Sequence, residues 1–237
     1  MQKLITLLFM AISLSGYCVE NPLVNIDSIK YYLTEIINNK KMEIGPVFNG
    51  RVKKVYVKRF WEKRGRNVND TIYGSFTTPN ILVRDDKLTL AADHQAIYLK
   101  LYNEKHRERL LRRKTGRTYI SHYQEDSIDN YNILYISEDR RKNFNIEGHM
   151  NEIVLHSGLP ITRLPYIECP PHLLNKYVAE SIFNQFSNSP GHNRVMIDPK
   201  NSKIGISIQF IDDPDSRLPN GEFTIDRNFI CVITLKR

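Results

Sequence analysis

Apolar residues recur at three- and four-residue steps in three stretches, the spacing that lines one face of a helix. Between residues 26 and 37 they are Ile29, Tyr32, Leu33 and Ile36, with Asp27 as the expected cap. From Leu88 to Tyr102 the stripe is Leu88, Ala91, Ala92, Gln95, Ala96, Leu99 and Tyr102, and its alanines suit close approach to a neighbour. His94 and His106 fall off this stripe and are expected to be solvated. Pro170 and Pro171 introduce a third helix with Leu174, Val178, Ile182 and Phe186 four apart, and the breakers from Ser187 to Gly191 stop it. Strand patterns follow: Ile204, Ile206, Ile208 and Phe210 alternate with small or polar residues, and Phe229, Cys231, Ile233 and Leu235 share one face. Val52 to Phe60, β-branched and aromatic with interleaved lysines, predicts a strand or hairpin arm on a surface. Asp126 to Phe144 is polar apart from Ile133 to Ile136 and predicts a loop with at most a short element, as Asp212 to Gly221 predicts a long turn. Helices early and strands late imply an α+β fold with helices packed on a sheet, and no linker or repeat divides it.

The 237 residues are 41% hydrophobic and 25% charged, enough apolar material for a sizeable core, which excludes a disordered or collagen-like chain. The longest apolar run, Leu4 to Leu14, is about half the ~20 residues of a membrane-spanning helix. With Lys3 before it and Ser13, Ser15 and Gly16 at its end, it has the layout of a secretory signal over residues 1–18. The expected mature chain, 19–237, is a single exported domain without a transmembrane segment. A lipoprotein signal wants a small residue before its cysteine, and Tyr17 precedes Cys18, so the reading is secretion or a periplasmic location rather than anchoring. Cys169 and Cys231 then remain in an oxidising compartment, where they either pair or stay as two buried thiols.

Net charge is +8, and the basic residues cluster. Arg51, Lys53, Lys54, Lys58, Arg59, Lys63, Arg64 and Arg66 stand against Glu62 alone, and Lys105, Arg107, Arg109, Arg112, Arg113, Lys114 and Arg117 against Glu108 alone. For an exported protein the matching counter-charges are lipid headgroups, an anionic membrane surface or a cell-wall polymer, rather than nucleic acid. Trp61, beside the first run, suits an interfacial anchor or core packing.

One segment is more specific. Phe186-Ser187-Asn188-Ser189-Pro190-Gly191-His192, an apolar stretch to Pro199, and then Lys203-Ile204-Gly205-Ile206-Ser207-Ile208 resembles the signature of the CAP superfamily, the cysteine-rich secretory, antigen 5 and pathogenesis-related 1 proteins. Leu82 to Tyr98 resembles the family's second helical block, Ser121-His122 its first histidine, and Asn151-Glu152-Ile153 its Gly-Glu-Asn-Ile element. Phe186 replaces the usual Trp, and Ser189 stands where animal and plant members carry a glutamate. Residues 46–78 and 155–173 are then insertions, the second carrying Cys169.

The resemblance implies a three-layer α/β/α sandwich with a central cleft. It also implies that His122, Glu152 and His192 face that cleft and hold a ligand or a divalent metal, with Ser189 as support. Two imidazoles and a carboxylate suit zinc and leave a position open for water. The expected function is a cell-envelope or lipid interaction module. The enzyme alternative is a zinc-dependent hydrolase with Glu152 as general base, and a third reading is a structural secreted protein. A rival grouping, His149, Glu152 and His156, would share a face only if that segment were helical. Ser189 before Pro-Gly is expected to order the turn through its side chain.

Overall fold

A computed structural model of the chain describes residues 25–57, 66–111, 119–158, 171–211 and 228–237. The signal segment, Cys18, Cys169, the connection 58–65 with Trp61, and the expected turn from Asp212 to Gly221 lie outside the described residues.

Helix α1 (Ile26–Ile44) buries Ile29, Leu33 and Ile37, one turn apart. Its cap is Asn25 rather than Asp27: the Asn25 Oδ1 accepts from the Ser28 amide at 2.8 Å, while Asp27 sits in the first turn, where a negative charge favours the helix dipole. Gly45 ends it at φ 71°, in the left-handed region that glycine enters without penalty. Strands β1 (Val47–Val57) and β2 (Arg66–Thr77) form an antiparallel hairpin, the stretch expected as an arm and as the first insertion.

Helix α2 (Asp86–Lys105), capped by Asp85, buries all seven residues of its expected stripe. A single turn, α3 (Arg107–Leu111), follows it. Helix α4 (Ser137–Asn143) is the short element inside the stretch otherwise expected as loop. Helix α5 (Pro171–Ser187) buries Leu174, Val178, Ile182 and Phe186, and the breakers after it open onto another short helix, α6 (Pro190–Met196).

The sheet has the order β3-β5-β6-β4, where β3 is Val83–Arg84, β4 Met150–Gly158, β5 Lys203–Ile211 and β6 Asn228–Lys236. β3 runs parallel to β5 and the other pairs are antiparallel. Strand alternation divides the core. Ile206 opposite Ile233, Ile208 opposite Cys231 and Ile153 opposite Ile233 put one face into a cluster with α1 and α5. Val154, Ile230 and Val232 on the other face join Ala92, Ala96, Tyr98 and Leu99 of α2. The architecture is thus α+β, with helices against both faces of one mixed sheet.

Gly205 sets the distance of α2 from that sheet. A Cβ there would land on the backbone of Leu88 and Thr89, so only glycine lets the first turn of α2 lie on the strand. The Thr234 hydroxyl donates to the Leu88 carbonyl at 2.8 Å across the same contact. Among the described residues no helix is long and apolar enough to cross a membrane.

Candidate functional site

The site lies at the β4 edge of the sheet. Glu152 is the third residue of β4, opposite Thr234 of β6, on the face that carries Val154. Its side chain is 1% exposed, an expensive place for a carboxylate unless charge and hydrogen bonds compensate. Arg140 of α4, itself 0% exposed, supplies both: Nε donates to Oε2 at 3.0 Å and Nη2 to Oε1 at 2.7 Å, the forked geometry that a guanidinium offers a carboxylate.

The rest of that guanidinium fixes the loop that carries His122. Nη1 donates to the Leu134 carbonyl at 2.8 Å and Nη2 to the His122 carbonyl at 3.0 Å. A second tie comes from α2. Gln95 Nε2 donates to the Ser121 carbonyl at 2.6 Å, and Gln124 Nε2 donates to Gln95 Oε1 at 2.9 Å while Gln124 Oε1 accepts from the Leu134 amide. Both glutamines are fully buried. The loop is therefore held at Ser121, His122 and Leu134 by three buried side chains. Its His122 ring is half exposed, at 46%, with Nδ1 3.1 Å from Glu152 Oε1.

His192 approaches from α6, whose first turn is seated by Phe186: the two rings meet edge to face at 5.6 Å. Burial holds the His192 pKa below the ordinary 6.5, and the nearby His122 lowers it further. Ser189 is the N-cap of α6 through its backbone, its carbonyl accepting from the Asn193 amide at 2.9 Å; the side chain makes no capping bond, contrary to expectation. Phe186, where the family signature has Trp, is fully buried in the core.

Three expected placements change. His94 is half-buried rather than free in solvent: its Nε2 meets the Asn132 carbonyl at 2.9 Å and its Nδ1 meets Gln124 at 3.1 Å, and burial holds its pKa below the usual range. His106 packs its ring on Tyr102 at 4.4 Å. The stretch with His149, Glu152 and His156 is a strand, so the helical face needed to gather them does not exist, and His149 turns to Asn151 at 3.0 Å. Cys231 is a buried thiol whose pKa burial pushes well up, and its candidate partner Cys169 is outside the described residues.

The structure thus joins His122 to Glu152 directly and brings His192 within electrostatic reach of His122. Arg140, the residue that makes a buried Glu152 tolerable, carries no signal in the sequence; nothing in a polar stretch marks it apart from its neighbour Arg141. Gln95 did leave a signal, as the one polar side chain in the apolar stripe of α2. The expected three-ligand zinc set does not fit this arrangement, because both Glu152 oxygens are engaged by a guanidinium that would repel an arriving cation. Among the described residues, no group of three or more His, Cys, Asp and Glu side chains is placed to hold a metal ion.

No protein-family model matches the chain, and neither does any curated protein. Among solved structures it is similar to an outer surface protein from Borrelia burgdorferi, at 15% identity and a TM-score of 0.41, over 90% of this chain and 96% of that one.

Proposed function

We propose that the chain is an exported binding module whose ligand meets the His122 and His192 imidazoles at the β4 edge. The observation that carries this is the support of His122. A half-exposed imidazole rests one nitrogen on a carboxylate that is buried and locked by Arg140, so its ring plane is set before any ligand arrives. Glu152 is then a positioning residue rather than a metal ligand or a general base.

The surroundings favour a ligand with both polar and apolar faces. Tyr123 and Tyr135 are exposed on the same loop, whose two strands of chain meet where the Gln124 amide donates to the Tyr135 carbonyl at 2.9 Å, and Ile120 and Ile136 are exposed as well. Aromatic side chains of this kind offer an apolar ring and a polar tip to one ligand, as a cell-envelope glycan requires. The resemblance to the CAP superfamily supports the same reading. On it, helices against both faces of the sheet are the outer layers of an α/β/α sandwich, and residues 1–18 direct export.

The test is titration of the full mature chain with soluble cell-wall glycan fragments, followed through the histidine ring signals by NMR. His122 and His192 should shift together, and His122→Ala should weaken binding at least tenfold while leaving the thermal transition within a few degrees. Unmoved histidine signals at saturating glycan would refute the reading. A parallel zinc titration should give no binding tighter than about 100 µM, since three protein ligands are usual in a catalytic zinc site and two imidazoles remain here; micromolar binding abolished by His122→Ala would favour the metal reading instead.

A further inference from the structure

We propose that a groove beside the start of α2 is a second binding site, one that takes a small zwitterion: a ligand carrying an anionic oxygen group and an ammonium a short distance apart, as the two free ends of a short peptide do.

The groove has a volume of about 450 Å³, within the range of small-molecule sites. It lies among the first turn of α2, the first residue of β5, the last residue of β6 and the loop that leads from α4 to β4. It is separate from the His122 site, whose residues do not line it. Met150, two residues before Glu152 on β4, is buried with Leu88 and Ala91 in a small apolar cluster, to which the groove's one apolar lining residue, Ile146, also belongs.

Strand register forces two cations together here. Lys203 and Lys236 are direct partners across the β5–β6 pair, so their side chains leave the same face of the sheet. Like charges placed directly opposite each other destabilise a sheet unless something neutralises them. Asp85 neutralises one of the two. Its Oδ2 accepts from Lys203 Nζ at 2.8 Å while its Oδ1 caps α2 at the Leu88 amide, 3.1 Å away, so this ion pair is anchored at both ends. That bond, with the charge of Glu147 further off, raises the Lys203 pKa above its ordinary value. Lys236 receives no such partner: among the described residues it has no ion pair and no side-chain hydrogen bond.

Charge selects the occupant. Glu147 and Asp86 line the same groove and are likewise without an ion pair or side-chain hydrogen bond among the described residues. The backbone sets Glu147 near Lys236, because a Cβ on the next residue, Gly148, would stand 3.9 Å from Lys236 Cε. The groove therefore holds charges of both signs that share one space and do not close on each other. An anion alone would be repelled by Glu147 and Asp86. A cation alone would be repelled by Lys236 and by Lys87, whose Nζ is turned to the Asn145 carbonyl at 3.1 Å. A ligand with no net charge and both signs satisfies the two halves, its anionic group on Lys236 and its ammonium on Glu147.

The experiment is an NMR titration of the full chain with dialanine, its N-acetyl form and its C-terminal amide, repeated on Lys236→Met and Glu147→Gln. The backbone amides of Asn145, Glu147, Gly148 and Lys236 should shift with dialanine, and blocking either end should weaken binding about fivefold or more. Each variant should erase one of these differences and keep the other: Lys236→Met makes dialanine and its amide bind alike, and Glu147→Gln makes dialanine and its N-acetyl form bind alike. Neither should lower the melting temperature, since both side chains lack a partner in the fold. His122→Ala should leave dialanine binding unchanged, which keeps this groove apart from the imidazole site. Glycerophosphoethanolamine carries the same two charges in the form of a lipid headgroup; binding tighter than dialanine would assign the zwitterion to that source, and weaker binding to peptide ends. Amides that stay unmoved with both probes overturn the proposal. So do blocked dipeptides that bind like dialanine, variants that bind it like the parent, or inorganic phosphate that moves the same amides more strongly than either zwitterion.

Discussion

Replacing Arg140 by methionine keeps most of the side-chain volume and removes the charge that Glu152 depends on. In the parent, four hydrogen bonds converge from this guanidinium: two on Glu152 and one each on the His122 and Leu134 carbonyls. Removing one partner of a buried ion pair costs about 3–5 kcal/mol, because the other charge stays buried and uncompensated. Leaving carbonyls unpaired adds about 1 kcal/mol each, less whatever the loop recovers by opening to water. The expected loss is therefore about 4 kcal/mol, a large share of the roughly 5–15 kcal/mol that holds a domain folded. Urea unfolding at pH 7 reads it directly: with a slope of about 2 kcal/mol per molar, the midpoint should fall by roughly 2 M. Arg140→Met/Glu152→Leu removes both charges, and at least about 2 kcal/mol of the loss should return. Amide exchange across 119–136 should accelerate in the single variant, since its loop loses two anchors. A single variant that loses under about 1 kcal/mol, or a double variant no better than the single, would refute the account of Arg140 as the group that makes Glu152 and the His122 loop stable.

Gly205→Ala places a methyl group on the backbone of Leu88 and Thr89, which cannot yield as a flexible side chain would; thermal melting should show a loss of about 3 kcal/mol or more, against under about 0.5 for Gly191→Ala, where the added Cβ meets open space. Burial lowers the His156 pKa from 6.5 to about 4, so in the fold it stays neutral while the unfolded chain takes up a proton. Stability should thus be full above pH 6.5 and fall as pH drops toward 4, by about 3 kcal/mol from this group. His156→Phe should flatten that slope in urea midpoints measured between pH 7 and pH 4; an unchanged slope would contradict the assignment.

In α1, α2 and α5 one face meets the core and the other meets water, and the four-residue apolar spacing survives into the buried residues. β5 and β6 are buried on both faces, so their alternation does not separate core from water: it divides residues between the cluster under α1 and α5 and the one under α2. β4 leaves still less signal, because Glu152 and His156 lie on a face turned into the protein and its polar residues do not mark a solvent side. Helix α6, seven residues long, is too short for periodicity to declare itself, and Pro190 at its start signals a turn as readily as a first helical residue. The histidines of the site came from a motif, and the pairing of His122 with Glu152 is visible only in three dimensions. Arg140 stands twelve residues from Glu152 and eighteen from His122, with a loop and a strand start in between, and no local pattern encodes such a meeting.

The order β3-β5-β6-β4 leaves β4 with a single strand neighbour among the described residues. The outer side of such a strand is a template for another chain, and proteins protect it with charge, short length or cover. Here the residues of the proposed ligand site also cover that margin, with α4 and α6 both touching β4 and Glu152 anchoring a charge within it. On that proposal, recognition and protection against strand addition are tied to one strand. Screens for variants that lose binding at His122 or Arg140 should recover two populations, folded proteins with an empty site and proteins that add strand to strand, and light scattering will separate them before any ligand is known.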